Sequence, residues 1–207
     1  MSRGAMPKLL LATTNRGKIR EYRSLFSGLP FELVTPDELG VNIEVKEDRP
    51  SYAENASIKA ESFTRASQVI TVADDSGLEV DVLDGEPGIR SARAAGETAG
   101  DKDRIEHLLA RLKGIPLNKR TARFKCVIAI AIPGGKTELC YGECAGLIAL
   151  EPRGEKGFGY DPIFYLPGLD KTMAELPLDI KNQISHRGKA AREACRILEK
   201  IAEELKS

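Results

Sequence analysis

The chain is poor in several features that would otherwise direct its interpretation. Histidine occurs only at His107 and His186, and no CxxC pair is present. The four cysteines are Cys126, Cys140, Cys144 and Cys195. Cys140 and Cys144 would be the zinc candidates, but no Cys/His pair at metal spacing completes a site around them. Cys126 and Cys140 lie in apolar, strand-like runs and are expected to be buried free thiols. Net charge is also missing, since 31 basic residues balance 31 acidic ones. That argues against a global basic field for non-specific nucleic-acid binding, and no acidic tail is present. No apolar run approaches the roughly 20 residues of a membrane span. Residues 1–7 lack the hydrophobic region of a secretory signal. A soluble cytoplasmic protein, with no nucleic-acid and no membrane partner, is the expectation. No repeat, low-complexity segment or linker divides the chain, and 207 residues suffice for one large domain or two small lobes.

What is present is organised around Val72-Ala73-Asp74-Asp75-Ser76-Gly77. The apolar run 69–73 predicts a short buried strand. It is expected to end at two carboxylates, a hydroxyl and a glycine. Adjacent acids at the end of a buried strand are unfavourable unless a metal ion or a network of donors compensates them. Neighbouring strand side chains point to opposite faces, so the two acids are expected to do different jobs. The plainer alternative is a strand-to-turn junction, because Asp, Ser and Gly are common in turns.

In chain order, residues 8–13 predict a strand with a small polar end. A helix follows over 16–26, where Ile19, Tyr22, Leu25 and Phe26 recur at helical spacing and Thr14 or Asn15 is the N-cap. A strand over 31–34 and a polar, charged stretch over 42–49 come next. A second helix opens at Pro50-Ser51-Tyr52 and runs to about Ala66. After the acidic motif a short strand is expected over 78–83. The Gly/Pro/Arg-rich segment 84–99 is too long for a plain connector. An amphipathic helix is expected over 101–113, with Ile105, Leu108, Leu109 and Leu112 on one side. Two long strands, 121–132 and 137–150, meet at Pro133-Gly134-Gly135, the strongest hairpin signal in the chain. A glycine-rich loop over 151–160, a short strand over 163–166 and a capping-box pattern at Thr172 and Glu175 follow. One long helix is expected over 185–206, with Ala190, Ala194, Ile197, Leu198, Ile201 and Leu205 inward. The mixture of β-α units with a hairpin indicates a single α/β unit, open to a bilobal arrangement.

Four further segments carry chemistry. Thr13-Thr14-Asn15-Arg16-Gly17-Lys18 joins a strand end to a helix start, where free N–H groups and the helix dipole favour an anion. It is not a Walker A loop, because the first glycine and the Ser/Thr after the lysine are both missing. An ordinary capped helix with a surface lysine is the alternative. Glu47 lies in the charged stretch before the second helix; beside Asp75 it could share a divalent ion, and Mg²⁺ suits carboxylates plus water and substrate phosphate oxygens. Gly157-Phe158-Gly159-Tyr160-Asp161-Pro162 places two aromatics between glycines, suited either to stacking on a base or to a turn packed on the core. Ser185-His186-Arg187-Gly188-Lys189 opens the last helix, with Ser185 as N-cap. His186 and Arg187 there suit an oxygen-rich ligand; the alternative is a solvated basic turn.

Together these segments resemble the inosine/xanthosine triphosphate pyrophosphatases, hydrolases of noncanonical purine nucleotides. The resemblance is carried by residues 12–18, Glu54-Asn55-Ala56, residues 73–78, Pro87-Gly88-Ile89-Arg90-Ser91-Ala92-Arg93, residues 157–162 and residues 184–188, in the family's order over nearly the whole chain. Thr14 stands where the family usually carries glycine. Lys46-Glu47-Asp48 is looser than the family's acidic stretch, so Glu47 rests on its spacing to Glu54-Asn55. Residues 1–5 extend before the family start and are expected to be disordered.

The resemblance implies an α/β fold with a long mixed β-sheet flanked by helices, in two lobes around a central cleft, usually a homodimer. Residues 1–207 would then be a single bilobal nucleoside-triphosphate pyrophosphatase domain. It implies hydrolysis of ITP, dITP or XTP to the monophosphate and pyrophosphate. Thr13, Thr14, Asn15, Arg16, Gly17 and Lys18 would hold the triphosphate, with Lys59 assisting. Glu47 and Asp75 would bind Mg²⁺, Asp75 also being the proton acceptor, and Ser76 would contact substrate. Phe158, Gly159, Tyr160, Asp161, Lys181, His186 and Arg187 would form the base end. The chemistry is coherent. Cleavage at the α-phosphorus develops charge on pyrophosphate that Mg²⁺ and lysines can stabilise, and a carboxylate beside the metal can position or deprotonate water. Inosine and xanthosine carry an oxygen at purine C6, an acceptor matched by donors such as His186 and Arg187; adenine presents an amino donor and leaves them unpaired. Guanine shares that oxygen, so its exclusion belongs to the surroundings of the 2-amino group. Two other readings remain at this stage: a nucleotide-binding regulator without turnover, and a hydrolase of a pyrimidine or modified nucleotide.

Overall fold

A computed structural model describes residues 6–205. The 1–5 extension and the Lys206 end expected for the last helix lie outside the described residues. In chain order the elements are β1 (Lys8–Leu11), α1 (Arg16–Leu25), β2 (Glu32–Val34), α2 (Pro36–Leu39), α3 (Tyr52–Ser67), β3 (Ile70–Val80), β4 (Pro87–Gly88), α4 (Asp101–Arg111), β5 (Thr121–Ala131), β6 (Thr137–Ile148), β7 (Phe164–Leu166), β8 (Lys171–Thr172), α5 (Leu178–Ile184) and α6 (His186–Glu204). The strands form one eight-stranded sheet in the order β2-β1-β3-β5-β6-β7-β8, with β4 paired to β3. β1 runs parallel to β2 and β3, whereas β3–β4, β6–β7 and β7–β8 are antiparallel. The mixed sheet with helices agrees with the expected fold class.

The chain divides into two compact units. The first comprises residues 1–75, 127–142 and 189–207, the second residues 76–126 and 143–188. Their boundary in β3 falls between Asp75 and Ser76. Within the first unit Leu9, Leu10, Leu11, Tyr22, Val72 and Leu198 are buried. Within the second, Leu78, Leu108, Leu112, Phe124, Ile148, Ile163 and Phe164 belong to one apolar cluster. Cys126 and Cys140 are buried free thiols, as their apolar surroundings predict.

Several expectations change. β3 does not stop at the acids; it continues through Asp74, Asp75, Ser76 and Gly77 to Val80. Its later residues Leu78 and Glu79 pair with Gly88 and Pro87, so ladder hydrogen bonds override the weak strand preference of Asp, Ser and Gly. The separate strand expected over 78–83 is accordingly the end of β3 followed by a 3₁₀ turn, Asp81–Leu83. Finally, the 185–206 helix begins one residue later and is preceded by α5. Ser185 between them is extended (φ −68°, ψ 160°) and buried, and its Oγ accepts the Gly188 N–H at 3.1 Å. That is an N-cap bond, which starts a new helix rather than continuing the old one. Leu205, expected inward, is 58% exposed. α2, held by a capping box between Thr35 and Glu38, is too short to show a helical period.

Candidate active site

In the first unit the strand-to-helix turn after β1 is capped by Asn15 and not by Thr14. The Asn15 Oδ1 accepts the Lys18 N–H at 3.0 Å, and the Asn15 N–H donates to Thr13 Oγ1 at 3.2 Å. Thr14, Asn15 and Arg16 are exposed, and no acidic side chain occupies the first turn of α1. The helix start therefore keeps its positive character for an anion.

Asp74 and Asp75 diverge, as strand alternation requires. Asp74 is fully buried, and its Oδ1 lies 2.9 Å from the Lys18 Nζ. Asp75 is 9% exposed, and its Oδ2 accepts from Asn55 Nδ2 at 2.9 Å. The other end of the Asn55 amide, Oδ1, accepts the Arg49 N–H at 2.9 Å. One buried asparagine on α3 thus ties the 42–50 stretch to the strand acid. One turn further along α3, Lys59 Nζ lies 2.9 Å from Glu47 Oε2. Burial pushes the Asp75 carboxyl above its ordinary range, and the Glu47 charge adds to this; Lys18, the Asn55 hydrogen bond and Lys59 act the other way without cancelling it. A carboxyl raised by burial beside lysines is suited to accept a proton.

Sequence reasoning placed Lys18, Glu47, Lys59 and Asp75 in the site, and within the first unit they act on one another. It did not give Asn55 a place in the site beyond the Glu54-Asn55-Ala56 motif, nor name Lys18 as the partner of Asp74. The available signal for Asn55 was a polar residue on the apolar face of α3, one turn before Lys59.

In the second unit the 157–162 loop is fixed by buried charge. Asp161 is 2% exposed; its Oδ2 accepts the Phe158 N–H at 2.8 Å and pairs with Lys181 on α5. Gly157, at φ 78°, leaves the space that this carboxylate fills, and any side chain there would overlap it. The two aromatics separate. Tyr160 takes the core alternative: it is buried and donates from its hydroxyl to the Ser91 carbonyl at 3.1 Å. Phe158 is half-buried, with Lys181 Nζ 5.1 Å and Arg187 Cζ 5.4 Å from its ring centroid. The solvated-turn alternative for residues 185–189 does not hold for its central part, because His186 and Arg187 are 4% and 2% exposed. His186 stacks on Phe124 at 4.6 Å and 15°, and Arg187 Nη2 donates to Ser76 Oγ at 3.0 Å. Ser76, Phe158, Asp161, Lys181 and Arg187 are therefore linked to one another within the second unit.

Among the described residues no three His, Cys, Asp or Glu side chains form a metal cluster. Glu47 and Asp75 fit a hard cation as a pair of oxygen donors, one half-buried and one buried, whose charges act on each other. Mg²⁺ commonly takes only one or two carboxylates and completes its shell with water and phosphate oxygens.

The fold and these clusters define a mixed α/β protein with a carboxylate–lysine centre. The sequence profile of the Ham1 family matches residues 9–197. The dITP/XTP pyrophosphatase of Bacillus subtilis is 45% identical over 194 residues, 94% of this chain and 98% of its own length. That of Geobacillus kaustophilus is 49% identical over 185 residues, covering 89% and 91%. Among solved structures, the Ham1 protein of Staphylococcus aureus superposes with a TM-score of 0.83 at 42% identity, covering 94% of this chain and 99% of that one. The HAM1 protein of Coxiella burnetii gives 0.85 at 38% identity, covering 94% and 100%. The chain belongs to the Ham1 family.

Proposed function

We propose that the protein hydrolyses noncanonical purine nucleoside triphosphates, ITP, dITP and XTP, to the monophosphate and pyrophosphate. The observation that carries this reading is Asp75: a buried carboxyl held by Asn55 at 2.9 Å and acted on by the charges of Lys18, Lys59 and Glu47. The names of the relatives give the substrate class. Thr13 to Lys18 bind the triphosphate, with the amides of the α1 start and the Lys18 ammonium facing its charge. Lys59 assists. Asp75, oriented by Asn55, takes the proton of the attacking water. Glu47 and Asp75 would hold Mg²⁺, which when bound would supply charge neutralisation on the phosphate oxygens and the leaving pyrophosphate.

Phe158, with its neighbours Gly159 and Asp161, receives the base, and Tyr160 contributes by anchoring that loop. Lys181, His186, Arg187 and Ser76 complete the base end, where buried donors meet the C6 oxygen of a 6-oxopurine. The substrate is a free nucleotide, and residues 1–207 act as one bilobal domain. The working form is a cytoplasmic homodimer, as the resemblance implies; sedimentation equilibrium tests the oligomeric state. No helix among the described residues is long and apolar enough to cross a membrane.

Pyrophosphate release across a panel of nucleoside triphosphates with Mg²⁺ tests the reading. Turnover of ITP, dITP and XTP well above ATP, CTP and UTP is expected. Binding without release would make the protein a regulator, and preference for a pyrimidine would reassign the base end.

A further inference from the structure

Asp101, the first residue of α4, reaches away from its own helix. Its Oδ2 accepts the Gly159 N–H at 2.6 Å, and its Oδ1 pairs with the Arg104 guanidinium one turn on. Arg104 donates from Nη1 to the carbonyls of Ala92 and Ala99 at 2.9 and 2.7 Å. The Asp101–Arg104 pair therefore joins the loop carrying Phe158 to the 91–99 segment. Tyr160, next to Gly159, makes a second junction through the Ser91 carbonyl. Two consecutive amides of the aromatic loop, those of Phe158 and Gly159, are each taken by a carboxylate: Asp161 from within the loop and Asp101 from α4. Gly159 lies at φ 63°, the left-handed conformation in which its amide meets Asp101. Hydrogen bonds from backbone amides to carboxylates are among the stronger ones available to a loop.

We infer that Asp101 is a positioning residue for nucleotide selection. Through the Gly159 amide it fixes the backbone that carries Phe158, and so sets how tightly the base is held without touching it. The inference rests on the proposed use of Phe158, Lys181 and Arg187 as the base end. The Asp101 side chain is 44% exposed, so water can take over the Gly159 amide when the carboxylate is removed; the loop loosens while the fold remains.

Two variants and two readouts test this. Asp101→Ala removes the acceptor, and Asp101→Asn keeps a carbonyl oxygen for Gly159 while losing the charge pair. Amide hydrogen exchange of the peptide spanning 157–161 is expected to speed up about 10-fold in Asp101→Ala, the scale of one lost hydrogen bond to a charged group, and to recover in Asp101→Asn. With dITP, KM is expected to rise about 10-fold in Asp101→Ala with kcat within about 3-fold, while competitive inhibition by inorganic tripolyphosphate, which has no base, stays unchanged. Unchanged exchange overturns the proposal, as does a fall in kcat at constant KM or an equal loss of tripolyphosphate affinity. If Asp101→Ala does not fold, Asp101→Ser, which keeps a polar side chain in the first turn of α4 but is too short for Gly159, carries the same readouts. Should the wild-type protein release no pyrophosphate from any nucleotide, the functional reading fails; the exchange measurement then decides alone, faster exchange upholding the role of Asp101 and unchanged exchange overturning it.

Discussion

Lys59–Glu47 in the first unit and Lys181–Asp161 in the second are both lysine–carboxylate pairs, yet they are enclosed very differently. The side chains of Lys59 and Glu47 are 10% and 34% exposed, and those of Lys181 and Asp161 are 3% each. The first pair can exchange partners with a ligand at little cost, because water already reaches it. The second is sealed, and its carboxylate also accepts the Phe158 amide, so it fixes a backbone shape. On the proposed reading the two clusters separate two tasks: the charges near Asp75, of which Glu47 is open to water, would meet a changing phosphate charge, whereas the sealed charges under the 157–161 loop would hold a constant surface for a base.

The largest effect is expected from cutting the sealed pair. Lys181→Met leaves the Asp161 carboxylate buried without its cation, and breaking such a pair costs about 3–5 kcal/mol. Urea denaturation should show that loss, and a change below about 1 kcal/mol would mean the pair is not the clamp described here. Next is Asp75→Asn, which should lower kcat by at least about 10²-fold, near 2.7 kcal/mol in the barrier. Stability should not fall with it, because burial already disfavours the Asp75 charge in the folded state. Pyrophosphate release and thermal unfolding on the same sample separate the two quantities; near wild-type turnover would remove Asp75 from the chemistry.

A middle-sized effect distinguishes the two ends of the substrate. Arg187→Ala removes a donor at the base end, and the ITP/ATP ratio in kcat/KM should compress about 10-fold, the scale of one hydrogen bond to a charged group. Lys18→Ala should depress both substrates and leave that ratio nearly constant. Lys18 also meets the buried Asp74, so this variant should lose some stability that Lys18→Arg retains. An intact ratio in Arg187→Ala with a changed ratio in Lys18→Ala would mean that the two clusters serve the opposite ends.

Much of this arrangement was legible in the chain itself, for physical reasons that differ between residues. The α1 start, the opening of α3 at Pro50-Ser51-Tyr52 and the β5–β6 turn rest on local capping and turn chemistry, which neighbouring residues determine. The passage of β3 through Asp74-Asp75-Ser76-Gly77 was not legible, because it depends on hydrogen bonds to strands distant in sequence. The start of α6 was legible from Ser185 as its cap, whereas α5 before it was not, because it is too short to show a helical period. Of the candidate site, the charged residues within the motifs stood out, while Asn55 and Asp101 did not. An asparagine and an aspartate near helix starts look like ordinary caps until their partners, Asp75 and the Gly159 amide, are known.

The smallest structural effect should come from the open pair, and there stability and function should part company. Glu47→Gln removes the charge facing Lys59; Lys59 is buried but the Glu47 end is open to water, so the loss should be smaller than that from Lys181→Met. The midpoint of thermal unfolding should therefore move less than in Lys181→Met. Glu47 also adds to the raised pKa of Asp75, so its loss leaves Asp75 easier to ionise and takes one oxygen donor from the proposed Mg²⁺ pair. The Mg²⁺ concentration for half-maximal pyrophosphate release should rise several-fold, while kcat at saturating Mg²⁺ falls less. EDTA should abolish wild-type turnover, and added Mg²⁺ should restore it. Full activity in EDTA, or a Glu47→Gln variant with an unchanged Mg²⁺ requirement, would remove the metal role from Glu47 and leave it only as the partner of Lys59. A large loss of stability in the same variant would show instead that this pair is as structural as Lys181–Asp161, and the contrast between the two clusters would fail.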